Sequence, residues 1–302
     1  MILLNTSRAA CLALFSAAVI FISSSAAFAA TITVTGTGDT IAVDGVVTLR
    51  EAITSANNNA NVNTDVVAVG VYGTDTINFN IPGAGIHTIS PGSALPDITD
   101  PVTIDGYMQP GASANTLAVG DNAVLLIELN GTGAGAGASG LVITAGSSTV
   151  RGLVINRFNS GGGGESGITL QTGGGNTITG NFIGTDSAGT VAQPNLSGLD
   201  ILSSPNNIIG GITVGARNLV SANINEQLLI DGSSASGNQV QGNYIGTNAA
   251  GSGSLMTAAS NRGQGITLRA PSNTIGGTAA GAGNLISGNG NEGIFINIAN
   301  SN

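Results

Sequence analysis

Asn176-Thr-Ile-Thr-Gly-Asn-Phe-Ile-Gly-Thr185 returns further along the chain as Asn238-Gln-Val-Gln-Gly-Asn-Tyr-Ile-Gly-Thr247. A second unit, Asn207-Ile-Ile-Gly-Gly211 followed by Gly215-Ala-Arg-Asn-Leu-Val-Ser221, returns at a similar offset as Asn273-Thr-Ile-Gly-Gly277 with Gly281-Ala-Gly-Asn-Leu-Ile-Ser287. Between them lie shorter echoes, each a Gly followed by an alternating apolar tripeptide: Gly140-Leu-Val-Ile143, Gly152-Leu-Val-Ile155, Gly167-Ile-Thr-Leu170, Gly198-Leu-Asp-Ile201, Gly265-Ile-Thr-Leu268 and Gly293-Ile-Phe-Ile296. Such a tripeptide is a short strand that buries alternate side chains and starts where glycine tolerates a bend. Apolar centres recur about every ten residues, which leaves no room for intervening helices. Strands this short cannot stabilise isolated hairpins, but stacked in parallel they bury one continuous core. The fold expected is all-β, a right-handed parallel β-helix.

The Gly-Asn step between Ile178 and Ile183 marks a coil corner. Asn and Gly both tolerate positive φ there, and an Asn that recurs from coil to coil can stack its amides into a hydrogen-bonded ladder. Asn181 and Asn243 are the expected ladder members, with Asn176, Asn207, Asn218, Asn238, Asn273 and Asn284 as strand-edge partners. At about 22 residues per coil the chain would make about 12 coils, a rod near 55 to 60 Å long.

Composition supports a solenoid. The chain has 302 residues, of which 48 are Gly, while charged residues make up only 8% and aromatics 3%. All seven basic residues are Arg, and the formal charge is −9. That balance excludes a basic nucleic-acid groove and a polybasic membrane surface. Hydrophobic residues at 41% exclude disorder.

Residues 1–29 read as a signal peptide: Arg8, an apolar run from Ala9 to Ile22, then small residues ending Ala27-Phe28-Ala29. The run is too short for the roughly 20 residues a spanning helix needs. Cleavage after Ala29 would remove Cys11, the single cysteine, leaving a mature chain without thiol chemistry in an oxidising space. Residues 30–302 read as a single domain with no transmembrane segment: an N-terminal cap over 30–60, irregular first coils over 61–136 and the clearest repeats over 137–302. The irregular coils would use Thr76–Ile81, Ile86–Ile89, Val102–Ile104 and Val124–Leu129, with Pro-Gly turns at Pro82, Pro91 and Pro110. The glycine stretches 131–140 and 161–164 read as surface loops.

Thr48-Leu49-Arg50-Glu51 supplies a capping box, and Leu49, Ala52, Ile53 and Ala56 follow at i, i+3, i+4 and i+7. This amphipathic helix, ending at Asn57 to Asn59, would plug the open core of the first coil. Asp44-Gly-Val-Val-Thr-Leu-Arg-Glu-Ala-Ile53 resembles the DG-x-CSLREAI segment that opens many bacterial secreted right-handed β-helix repeat proteins, including large surface and adhesin-like chains. Val47 stands where that pattern has Cys, which matches the cysteine-free mature chain. Thr103-Ile-Asp-Gly-Tyr-Met-Gln-Pro-Gly111 and Asn273-Thr-Ile-Gly-Gly277 resemble segments of the same group. The resemblance implies the fold, export and a place at the cell surface.

Catalytic constellations are incomplete. A pectate-lyase-like site needs clustered acids for Ca²⁺ and a basic residue beside them; Arg157, Arg217, Arg262 and Arg269 are present, none of them next to an acidic cluster in the sequence. Of the polygalacturonase-like segments only Asn63-Thr-Asp65 occurs, in the wrong region. His87, the sole histidine, reads as a strand-face or loop residue. Paired carboxylates could still assemble from different coils, drawn from Asp186, Asp200, Glu226 and Asp231. Asp200 takes the middle of a Gly-x-x-Ile strand and so projects outward, read as a solvated single carboxylate. No catalytic, cofactor-binding or metal residue is assigned, and no cofactor is expected.

The reading is a non-catalytic, adhesin-like or structural rod at the cell surface or outside the cell, its partners extracellular glycans or surface components. The alternative is a polysaccharide lyase or glycoside hydrolase acting on an extracellular polysaccharide. The last strand, with Phe295 as a core residue and Ala299-Asn-Ser-Asn302 after it, supplies no cap. That leads to the expectation of a fragment of a longer protein or of end-to-end self-association.

Overall fold

The structure is a computed structural model that describes residues 28–256 and 263–298. The signal-peptide assignment, except for Phe28 and Ala29, lies outside the described residues, as do Arg262 and the segment 299–302.

The chain winds as an all-β parallel β-helix with three sheets, each built from one strand per coil. Sheet A stacks eight strands: 29–34, 71–79, 102–105, 149–151, 177–179, 208–210, 239–241 and 274–275. Sheet B stacks seven, from 87–89 to 285–286, and sheet C six, from 141–143 to 294–296. Within a coil the chain passes from A to B to C, as in 177–179, 182–183 and 197–202. Every strand-to-strand pairing is parallel. Inward residues form columns, with Ile32, Ile77, Ile104, Val150, Ile178, Ile209 and Val240 stacked in sheet A, all buried.

The coils are longer and fewer than expected. Ile77 pairs with Ile104, Ile104 with Val150, and Ile178 with Ile209, so each step from coil to coil exceeds the expected length, the second of them twofold. An apolar centre about every ten residues, taken three times per coil, gives about 30 residues, and loops at the corners add the rest. Eight stacked strands at about 4.8 Å span only about 34 Å. The repeat that carries Asn176 onto Asn238 is therefore two coils: Thr177 pairs with Ile208, which pairs with Gln239.

The N-terminal end is closed as the capping box implies. Helix α1 spans Leu49–Asn58, the Thr48 hydroxyl accepts from the Glu51 amide, and Glu51 Oε2 accepts from the Thr48 amide at 2.9 Å. Leu49, Ala52, Ile53 and Ala56 are buried in the main core, and Asn59 ends the helix in the left-handed region at φ 51. Val47, in place of the Cys of the resembling segment, packs into the same core.

At the far end Phe295 corrects an expectation. It pairs with Thr267 on the outward side of sheet C, whereas Ile294 and Ile296 continue the inward column of Ile266 and Leu268. These two isoleucines are 43% and 63% exposed.

The corners are held by asparagine. Asn181, Asn218, Asn243 and Asn284 form one ladder, in which the backbone N–H and Nδ2 of each donate to Oδ1 of the next; Asn218 Nδ2, for example, reaches Asn243 at 2.9 Å. Nδ2 also donates to a carbonyl of the preceding coil, Asn218 to Ile178 O at 2.8 Å. Asn176, Asn207, Asn238 and Asn273 form a second ladder at the entrance to sheet A, on the same pattern. A third, unforeseen ladder joins Asn195 to Asn223 before sheet C. Left-handed φ at the Gly-Asn step belongs to glycine, 65° at Gly180 and 70° at Gly242, and the Asn acts through its side chain.

Replacing Asn218 by Ala would strand the amides of Asn181 and the carbonyl of Ile178 in a dry corner. We expect a loss of about 3 kcal/mol or more, read from urea unfolding, and a visibly smaller loss for Asn284→Ala at the half-buried end of the ladder. Ile53→Asp should cost ~3–5 kcal/mol by charging the buried face of α1; a parent-like urea midpoint would remove the plug assignment.

Candidate functional site

The outward side of sheet C gathers the acids that sequence left scattered. Parallel pairing stacks Thr169, Asp200, Leu229 and Thr267 in one row, on the side opposite Leu199 and Ile201. Asp200 does point outward, but it is only 7% exposed, which corrects the solvated reading. Its Oδ2 accepts a hydrogen bond from the Ser166 hydroxyl at 2.5 Å, while Oδ1 is buried with no partner among the described residues. Burial pushes the Asp200 carboxyl up to about 6; the Ser166 hydrogen bond works against this, and the Glu226 and Asp231 charges add to it.

Arg269, just past the strand two coils on from Asp200, stands between two of these acids. Its guanidinium lies 3.8 Å from Glu226 and 3.4 Å from Asp231, and it also acts on Asp200. A cation does sit beside an acidic group in space, although Arg269 stands next to no acidic cluster along the chain. The residues come from three coils, so only the register between coils brings them together: Asp200 faces Leu229 across one rung, and Leu229 faces Thr267 across the next.

The other candidate acids have structural partners. Asp186 lies in a separate turn, where its Oδ1 accepts from the amides of Thr190 and Val191 at 2.8 and 2.9 Å. Glu165, missed in the sequence, is wholly buried. It accepts from the amides of Gly137, Gly161 and Gly162 and from Ser160 Oγ, so it ties both glycine loops together. Burial raises its pKa, and those four donors outweigh the burial to leave it lowered. His87 is buried on a strand of sheet B, paired with Ile127, far along the chain from the acid row.

Among the described residues no three His, Cys, Asp or Glu side chains stand close enough to hold a metal ion. The arrangement can donate or accept a proton near pH 6 at Asp200 and can pair an anion or a polar ligand at Arg269. Sequence reasoning named Arg269 without its acidic partners and missed Ser166. The signal was present only in the coil length, because Ser166 pairs with Ser197 one full coil further on.

Comparison with family models and with curated proteins returns no match for this chain.

Asp200 also sets a pH signature. Its folded-state pKa lies above the ordinary 3.8, so between about pH 4 and 6 the native state holds a proton that the unfolded chain releases. The stability owed to this group is therefore complete below about pH 4 and lost as pH rises through about 6. The parent, compared with Asp200→Asn by urea unfolding, should lose about 3 kcal/mol across that window relative to the variant. Parallel pH profiles would show Asp200 to titrate as a solvated acid.

Proposed function

We propose that the chain is an exported bacterial protein that works outside the cell or on its surface as a stiff, non-catalytic rod meeting extracellular glycans or neighbouring surface components. The observation that carries this reading is the use of its acids. Glu51 closes the cap, Glu165 and Asp186 close loops, and Asp105 pairs with Arg151 at 2.6 Å. A protein that commits its few charges to closing coils is built for shape and persistence. The described residues hold no helix long and apolar enough to cross a membrane. The VVTLREAI resemblance supports export and a surface place. End-to-end association through the uncovered Ile294 and Ile296 belongs to the same proposal, since α1 closes the opposite end.

One observation favours a second reading, an enzyme acting on an extracellular polysaccharide. Asp200 combines a carboxyl raised to about 6 with two acids and an arginine nearby, the components of acid–base work on a glycosidic bond. Its burial argues against this, because a general acid must reach the leaving oxygen.

Incubating the mature chain with plant and bacterial polysaccharides, with and without Ca²⁺, separates the two. The rod reading expects retention on one or more immobilised glycans and no new reducing ends or unsaturated products. Turnover that Asp200→Asn abolishes would replace it with the enzyme. Sedimentation should show dimers that Ile296→Lys disperses; a monomer at high concentration would remove the self-association.

A further inference from the structure

Sheets A and B meet at a corner whose width changes from coil to coil. Gly152, Gly180 and Gly242 turn it in a single left-handed residue, with φ of 75, 65 and 70°. The segments 211–217 and 276–283 instead go round it in wide loops, the first through a short 3-10 turn. A tight corner flanked by wide ones leaves a recess on the outside of the rod.

Over Gly152 and Gly180 that recess is filled by the chain itself. The ring of Tyr107 lies so close that a methyl group on Gly152 would meet its Cγ at 2.9 Å, and the Tyr107 hydroxyl donates to the Gly180 carbonyl at 2.8 Å. Over Gly242 the recess is an open cavity of about 370 Å³. Ile212 and Val214 wall it from one wide loop, Ala280 from the other, and Ala118 and Arg217 complete it.

Arg217 makes this cavity different from an apolar dent. The residue is only 8% exposed, and its guanidinium lies 4.3 Å from the centroid of the Tyr244 ring. Its terminal nitrogens donate to the carbonyls of Leu117, Ala118 and Gly120, and its Nε–H is buried with no acceptor among the described residues. None of the ion pairs formed by the described residues includes it. Asp121 lies near enough for the Arg217 charge to lower its carboxyl pKa against the larger, raising effect of burial, but its Oδ1 accepts from Ala123 N–H and it forms no ion pair with Arg217. A buried guanidinium bound only by neutral carbonyls and a ring face retains its charge for an incoming anion.

We propose that this cavity binds a hydroxylated aromatic carboxylic acid. The ring occupies the recess over Gly242 as that of Tyr107 occupies the recess over Gly180, with its hydroxyl toward the corner backbone and its carboxylate toward Arg217. Apolar walls with Thr213 and one buried cation among them are the composition expected of a small-molecule site. The site lies at the A–B corner and does not depend on the glycan reading, which concerns other faces of the rod.

Titration calorimetry of the full mature chain with 4-hydroxybenzoate tests it. Saturable one-to-one binding is expected, with phenol and benzoate each about tenfold weaker or more, since each lacks one polar anchor. Galacturonate carries a carboxylate on a saturated ring and should be weaker still. Ala280→Glu places a competing carboxylate on the exposed wall and should abolish binding with the melting temperature unchanged, while Ala280→Ser keeps it. If Ala280→Glu does not fold, Ala118→Trp fills the cavity from the opposite wall and must abolish binding in its place. Absence of saturable binding, galacturonate equal to 4-hydroxybenzoate, or parent-like affinity in the folded blocking variant would each overturn the proposal.

Discussion

Everything in this molecule depends on what happens to the backbone amides at the corners. A strand of two or three residues ends almost as soon as it starts, so each coil buries peptide groups that no sheet can pair. Asparagine answers this because its amide offers an acceptor and two donors on a short arm. Asn218 serves three coils at once: it accepts from Asn181, donates to Ile178 O and donates to Asn243. Buried without such partners, the same groups would each cost about 1–3 kcal/mol, more than a two-residue strand can offset. The ladders make short strands possible, and short strands in turn allow a coil of about 30 residues.

The ladders are common to every coil from Asn176 on, yet the corners they hold are of two kinds. Coils with Phe182 or Tyr244 turn tightly from sheet A to B, then send out the turns at 186–189 and 248–251. Those turns fold back over the outer side of sheet B: a methyl on Gly189 would meet both Phe182 and Leu219, and one on Gly251 both Tyr244 and Leu285. One turn thus covers an aromatic residue of its own coil and a leucine of the next. That division of labour explains why the sequence repeats every two coils, and it places wide and narrow corners in alternation, which is what opens the recess beside Arg217.

The same feature accounts for what could and could not be read from the chain. The Gly-x-x-Ile strands, the cap from Thr48 to Asn59 and the ladder asparagines were legible because each is fixed by local chemistry: a period of two, a capping box, an amide at a turn. The number of coils was not, since apolar spacing counts strands, and only pairing says that three strands close one turn. Asp200 shows the difference within a single residue. Its outward direction follows from alternation with Leu199 and Ile201, while its burial follows from neighbours that arrive a coil or more away. Arg269 beside Glu226 and Asp231, and Tyr107 on Gly180, are invisible for the same reason. Phe295 is placed by register alone: its pairing with Thr267 puts it on the outer side.

The few ionisable groups then divide by whether their charge is used. Glu165 and Asp186 each accept from two or more donors, and Asp105 meets Arg151, so ionisation there supports the fold. Asp200 and Arg217, like Asp75 and His87, are nine-tenths buried or more and keep one polar atom without a partner among the described residues. The unpartnered atom of each costs stability even though the rest of the group is hydrogen-bonded, since burying a polar atom without a partner is unfavourable. Asp200 and Arg217 both sit outside the core, on different sides of the coil, Asp200 within reach of the Arg269 charge and Arg217 on the open cavity at the A–B corner. Where a repeating architecture departs from its own pattern at a cost, stability is not the reason, and these two residues are where interaction with something other than the chain itself has to be sought.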